Sequence, residues 1–404
     1  MQHENFIVRE PLITSQEHVL GFELSWQRNG TGSGRINDTE ANALADFVTD
    51  RINANEYVGS HDDRLLILAA SPATLKAEAY FRLPPQGKVL ALWADDLGDP
   101  GAVAAIKSLR VQGYGVALRG AQLETVDQSL LSLFSHIEVP VDAPDLAEQL
   151  RIYRALGLPS VRMVARNVTS WERYETAASL GMDAFAGTLH LSRRHGDEAR
   201  DLSPTQTMIL RLMDMVKQEA GMNHLEGVLK RDAALSYRLL RYINSAGFGL
   251  GCEIQSLKHA VTLMGYSPLY RWLAVLLATS GPTGFSPVLM QTAIIRGRFA
   301  ELLGETFLPR TEAENLFVAG MFSLLDQLLG IPMEEVLDKI QLSDAVTEAL
   351  LSREGIYGPF LALAEACELS TTDVESMATS LCISAIQVND AHMSALAWAR
   401  NLKL

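Results

Sequence analysis

Residues Lys230–Gly251 read KRDAALSYRLLRYINSAGFGLG, and their pattern decides how the second half of the chain folds. Asp232 stands where a helix N-cap belongs, because a short acidic side chain accepts from the free backbone N–H groups of a first turn. Leu235, Leu239, Leu240 and Ile243 follow at the spacing of one apolar stripe on a short helix. Asn244-Ser245-Ala246-Gly247 ends that helix, and the glycines at 247, 249 and 251 let the chain turn sharply. This glycine run does not follow a strand, so it does not fit a dinucleotide loop. Lys230, Arg231, Arg238 and Arg241 give the helix a basic face. Such a face is ordinarily solvated or ion-paired; its functional reading is a docking face for a phosphate group or an acidic partner, carried by Lys230, Arg238 and Arg241.

Working outward, helical periodicity runs from Ser203 to Leu404 without a convincing strand. It covers Met208–Glu219, Leu225–Lys230, Gln291–Leu303, Asn315–Gly330, Met333–Ile340, Ser343–Leu351, Ser376–Val388 and Ala391–Asn401. The expectation is an all-α bundle over 203–404. Ser203-Pro204-Thr205-Gln206 supplies a capping serine, a proline in the first turn and a glutamine three residues on, a strong helix start. Before it, 191–202 (LSRRHGDEARDL) is charge-dense and reads as an exposed linker.

The pattern RDxALxxRLLRxxNSAxxG resembles the most recognisable segment of HDOD domains, all-helical bacterial signalling modules related to HD-type phosphohydrolases. The resemblance makes Arg231, Asp232, Leu239, Asn244 and Ser245 framework residues. HD hydrolases carry a His-Asp metal-binding doublet; here Ser323-Leu324, in VAGMFSLLDQLLG, occupies its place and cannot hold a divalent ion. HDOD domains as a family lack that site.

The first half alternates short apolar β-type runs with amphipathic helical ones. Strands are expected at Ile7–Ile13, Val19–Ser25, Leu65–Ala70, Val89–Trp93, Gly115–Arg119, Phe134–Val139, Ser160–Ala165 and Ala184–Gly187. Helices are expected at Pro100–Gln112, Asp145–Leu156 and Trp171–Leu180. About eight strands within 1–190 imply a compact (β/α) barrel, and the chain as a whole reads as multidomain α/β plus all-α.

The opening REPLITSQEHVLGFELSWQ resembles the start of EAL domains, barrels that hydrolyse cyclic di-GMP, with Glu23-Leu24-Ser25 at the Glu-Ala-Leu position. By that resemblance an active site needs several strand-end carboxylates and an Asn around two divalent cations, with a Lys nearby. The matching positions here read Ala69, Ala91, Ala94, Arg119-Gly120, HIEVPVD without a Lys, Ala165-Arg166 and Ala186, leaving Glu23 as the remnant of the motif. The nucleotide contacts overlap this set, which weighs against cyclic di-GMP binding. Asp95-Asp96 reads as a loop or cap, His61-Asp62 as an exposed loop, His190 and His195 as part of a solvated linker, and His259 as a packed helical histidine. No GxSxG suggests an activated nucleophile.

Composition narrows the class. The 404 residues are 48% hydrophobic and 20% charged, as in globular proteins, and a formal charge of −14 disfavours nucleic acid and anionic membranes as partners. The start MQHENFIVRE lacks a signal pattern and no apolar run reaches a membrane span. Cys252, Cys367 and Cys382 are odd in number and outside CxxC spacing, consistent with a reducing cytoplasm. The expectation is a cytoplasmic bacterial signalling protein without cofactor, pairing a degenerate EAL-like barrel with an HDOD domain. It is expected to be no enzyme, with no catalytic, cofactor or metal residues, and to work by binding other signalling proteins. A receptor for cyclic di-GMP or a related nucleotide is the alternative.

Overall fold

The computed structural model describes residues 5–27, 35–54, 64–182, 184–192, 203–229, 265–279, 286–340, 342–369, 373–400 and 402, with Leu235, Tyr237, Asn244 and His259 between them. It divides into two compact units. One is Asn5–His195 together with Cys367–Thr372; the other takes in Gly196–Ala366 and Asp373–Leu404.

The first unit is a closed eight-stranded barrel: β1 (Ile7–Thr14), β2 (Val19–Trp26), β3 (Leu65–Ala69), β4 (Lys88–Trp93), β5 (Gly115–Arg119), β6 (His136–Pro140), β7 (Arg162–Arg166) and β8 (Ala184–Ala186). Strands β2 to β8 pair in parallel, while β1 runs antiparallel to both β2 and β8 and closes the ring. The expected barrel is borne out, and each expected strand lies within two residues of its place. Side chains alternate across each strand, so one set points inward. Leu12, Ile67, Val89, Ala91, Ala117, Val164, Ala184 and Ala186 form the packed interior.

Helices Pro100–Val111, Leu146–Leu156 and Trp171–Ser179 cover the outside as expected, and Asp38–Ala54 adds a helix between β2 and β3. The last of these buries Ala41, Leu44, Ala45, Val48 and Ile52, an i, i+3, i+4, i+7, i+11 stripe.

The described residues of the second unit are helical. Ser203 accepts from the Gln206 N–H at 3.2 Å while the Gln206 side chain accepts from the Ser203 N–H at 2.8 Å, so the expected cap is formed. Helices Pro287–Gly304 and Arg310–Phe322 cross at Gly297 and Gly320, where a Cβ built on Gly320 would lie 2.6 Å from the Gly297 Cα. The expected continuous helix Asn315–Gly330 is broken. One helix ends at Phe322 and another, Leu325–Leu329, starts after Leu324. The interruption falls on Ser323, whose hydroxyl donates back to the Gly320 carbonyl at 2.7 Å.

Candidate functional site: the charged mouth of the barrel

The inward row that holds Leu12 on β1 also holds Glu10, and pairing sets Glu10 opposite Glu23 on β2. The same alternation brings Arg119 opposite Glu138. Arg166 closes β7 two residues after the buried Val164. Five ionisable side chains from five strands therefore form one layer above the apolar interior. Arg119 donates to Glu23 at 2.8 Å and through Nε to Glu138 at 2.8 Å. Arg166 donates to Glu23 at 2.6 Å and pairs with Glu10 at 2.8 Å and Glu138 at 3.5 Å. One Glu23 oxygen, Oε2, accepts from both guanidiniums.

Local backbone chemistry fixes the two arginines. Each is the last residue of its strand and each is followed by a residue in the left-handed region: Gly120 at φ 65° and Asn167 at φ 59°, residue types that tolerate it. The Trp93 ring lies against Gly120, where a Cβ would come within 2.9 Å of it. The small Ala69 and Ala91 neighbour each other across β3 and β4.

Burial governs the electrostatics. It alone would push the Glu23 carboxyl upward, but the charges and hydrogen bonds of Arg119 and Arg166 hold it below the usual range. Burial raises Glu10, against the pull of Arg166 and with the help of its carboxylate neighbours. Burial works against the Arg166 charge as well, yet Glu10, Glu23 and Glu138 keep it firmly protonated. Charge-assisted bonds of this kind are short and strong, and removing one partner leaves a buried unpaired charge.

These residues do not fit the two divalent ions that the EAL resemblance implies. The carboxylates have suitable oxygens, but each already meets a guanidinium, and Ala69, Ala91 and Ala186 offer no donor side chain. Among the described residues, no group of three or more His, Cys, Asp or Glu is placed to hold a metal ion.

A second guanidinium cluster lies in the helical unit. Arg296, 3% exposed, donates to the Ser323 hydroxyl at 2.7 Å and to Glu365 at 3.0 Å, and Glu365 receives a bidentate pair from Arg353 at 2.8 and 2.9 Å. Ser323 is thus buried and hydrogen-bonded at the position matched to the His-Asp doublet.

Of the sequence-derived residues, Glu23 is at the mouth, 7% exposed. Asn244 is an exposed turn residue. Lys230, Arg231, Asp232, Arg238, Leu239, Arg241 and Ser245 lie outside the described residues, as do His61, Asp62 and His195. His190 is not in a solvated linker: it is buried in the turn Leu189–Leu191 directly after β8, where Ser192 accepts from the Trp171 indole at 2.9 Å. Asp96 caps its turn by accepting from the Trp93 N–H at 3.0 Å, and Arg35 pairs with both Asp95 and Asp96. Sequence reasoning found Glu23 but missed Glu10 and Glu138. Their signal is strand parity: Glu138 sits two residues after His136, and Glu10 two before Leu12, on the inward-facing row.

One family model matches the chain, the HDOD domain, over residues 202–341. The chain is 24% identical over 388 residues to the cyclic di-GMP phosphodiesterase CdgJ of Vibrio cholerae, covering 91% of this chain and 85% of that one. It is 23% identical over 414 residues to the uncharacterized protein YuxH of Bacillus subtilis, covering 98% of each. Solved structures that it resembles include the cyclic di-GMP complex of the phosphodiesterase PaMucR, at 14% identity and TM-score 0.38, covering 46% of this chain and 90% of that one. Another is the EAL-domain protein YkuI of Bacillus subtilis with cyclic di-GMP and calcium, at 13% identity and TM-score 0.37, covering 64% of this chain and 73% of that one.

The chain carries an HDOD domain behind a closed eight-stranded barrel, and the expected pairing of such a barrel with an HDOD domain is borne out. The expectation that the chain is not an enzyme is overturned, because a relative matched along 91% of it is named a phosphodiesterase. That expectation rested on the replaced EAL positions and on Ser323-Leu324 in place of a His-Asp doublet, and it counted Glu23 as the last carboxylate at the mouth, whereas Glu10 and Glu138 stand there too. Among the described residues no helix is long and apolar enough to cross a membrane.

Proposed function

We propose that this chain is a cytoplasmic signal-transduction protein of the cyclic di-GMP system that acts through contacts with other proteins. The carrying observation is the joining of a barrel to an HDOD domain, in a chain that aligns along 91% of its length with a cyclic di-GMP phosphodiesterase. We divide it into a barrel over 1–190, a linker over 191–202 and a helical module over 203–404, with Arg231, Asp232, Leu239, Asn244 and Ser245 as framework. The partner surface is the basic face of Lys230, Arg238 and Arg241. A formal charge of −14 supports a protein partner over nucleic acid or an anionic membrane. The test is cross-linked capture on the full chain in its native bacterium, beside Arg238→Glu/Arg241→Glu. A partner held by the wild type and lost from the variant is expected; an identical set on both sinks the assignment of this face.

One observation favours a second reading, a cyclic di-GMP receptor: Arg119 and Arg166 are guanidiniums at strand ends, a group that suits phosphate. Calorimetry of the full chain against cyclic di-GMP decides it. Micromolar binding that is lost in Arg119→Met supports the receptor, and no heat of binding removes it.

A further inference from the structure

We infer that Arg119 and Arg166 take the electrostatic place of divalent cations in the barrel mouth, and that removing one guanidinium converts the same carboxylates into a cation site. This concerns what balances the charge of the mouth, whichever ligand or reaction the barrel serves.

Three observations carry it. Arg166 lies within 3.5 Å of carboxylates from three different strands: Glu10 at 2.8 Å, Glu23 at 2.6 Å and Glu138 at 3.5 Å. The three carboxylates ring the guanidinium, one at each of its nitrogens, and carboxylate oxygens are donors that Mg²⁺ or Mn²⁺ accepts once a cation takes the guanidinium's place and draws them in. Arg119 bridges two of the same carboxylates, so both cationic groups share Glu23 and Glu138 as two metal ions would share bridging ligands. Finally, the surroundings are shaped for arginine. The paired Ala69 and Ala91 carry only small side chains, and left-handed residues turn the chain away directly after each arginine.

The charges explain why the arrangement persists. Three clustered carboxylates, buried at Glu23 and Glu138 and partly buried at Glu10, would repel one another without cations in surroundings of low dielectric constant. Two guanidiniums offset most of that repulsion and satisfy the oxygens in fixed directions. A metal entering the wild-type mouth would have to displace a guanidinium that then has no partner. The arginines therefore act as resident counter-ions, covalently attached and always charged.

The experiment uses the purified full chain with Mn²⁺ alone as probe. Uptake is followed by the loss of the free-ion electron paramagnetic resonance signal, and thermal unfolding is compared in EDTA and in Mn²⁺. For the wild type we expect no uptake and the same unfolding midpoint in both. For Arg166→Ala we expect uptake and a midpoint raised by Mn²⁺, on the order of 5 °C when the ion is well above its dissociation constant. Arg166→Ala/Glu23→Gln should lose both effects. Mn²⁺ uptake by the wild type that Glu23→Gln abolishes overturns the inference. So does a folded Arg166→Ala, checked by far-ultraviolet circular dichroism, that takes up none. If Arg166→Ala does not fold, Arg119→Ala replaces it, removing one of the two guanidiniums on Glu23 and Glu138, and the wild-type arm decides in either case.

Discussion

The Arg9 guanidinium and the Glu368 carboxylate meet at 2.7 Å with side chains only 3% and 2% exposed, although 359 residues of sequence separate them. Arg9 faces outward from β1, and the short segment that supplies Glu368 groups with the barrel, where the Cys367 carbonyl also accepts from the Arg9 N–H at 3.3 Å. Removing one half of a buried pair strands the other charge in a dry site. Glu368→Gln is expected to cost about 3 kcal/mol, read from urea unfolding of the full chain by tryptophan fluorescence. Arg9→Met/Glu368→Leu removes both charges and should cost much less than the two single changes together.

His136 begins β6 buried at 6% exposure, with the Ser135 hydroxyl 2.9 Å from its Nδ1. Burial first, and the Arg162 charge second, push its imidazole down to about 4 from an ordinary 6.5. Between those values the unfolded chain binds a proton that the folded one refuses, so stability rises with pH. The contribution is complete above about pH 6.5 and is lost as pH falls towards 4, a change of about 3 kcal/mol. Glu10, raised in the fold, acts in the opposite sense, so wild type and His136→Gln must be compared at each pH. The variant should show a flatter profile of unfolding free energy over this window.

Gly320 allows its helix to touch the backbone of another. Gly320→Ala forces a Cβ against the Gly297 Cα and the Arg296 carbonyl, which no rotamer change relieves. A loss of about 1–3 kcal/mol is expected, seen as an earlier helical transition in thermal circular dichroism.

The thiols separate by environment. Burial raises Cys367 to about 12, whereas Cys382 is exposed. Iodoacetamide at mildly alkaline pH should alkylate Cys382 in the native chain and reach Cys367 only after unfolding, as peptide mass mapping can report.

Much of this architecture is legible from residue order, for physical reasons. Strands such as Gly115–Arg119 are short apolar runs between turn residues, and buried parallel strands write themselves that way. The helix Asp38–Ala54 has its apolar stripe in plain view between two polar stretches of sequence, although no helix is expected there. Glu138 and Arg166 are individually legible as strand residues, but their meeting is not. It depends on the register of β6 against β7, which sets Arg166 two residues beyond the partner of Glu138, while barrel closure brings Glu10 and Glu23 to the same side. The break at Ser323 is hidden for a similar reason, since its partner Arg296 lies 27 residues earlier on another helix.

The antiparallel β1 has one more effect. By bonding to β2 on one side and β8 on the other, it leaves the sheet with no unpaired edge. An edge is where a foreign peptide adds itself as an extra strand, or where two misfolded copies zip together. Where β1 runs past its pairing with β8, at Arg9, the Cys367 carbonyl already takes the backbone N–H, so a partner of this barrel is left to read side chains and loops.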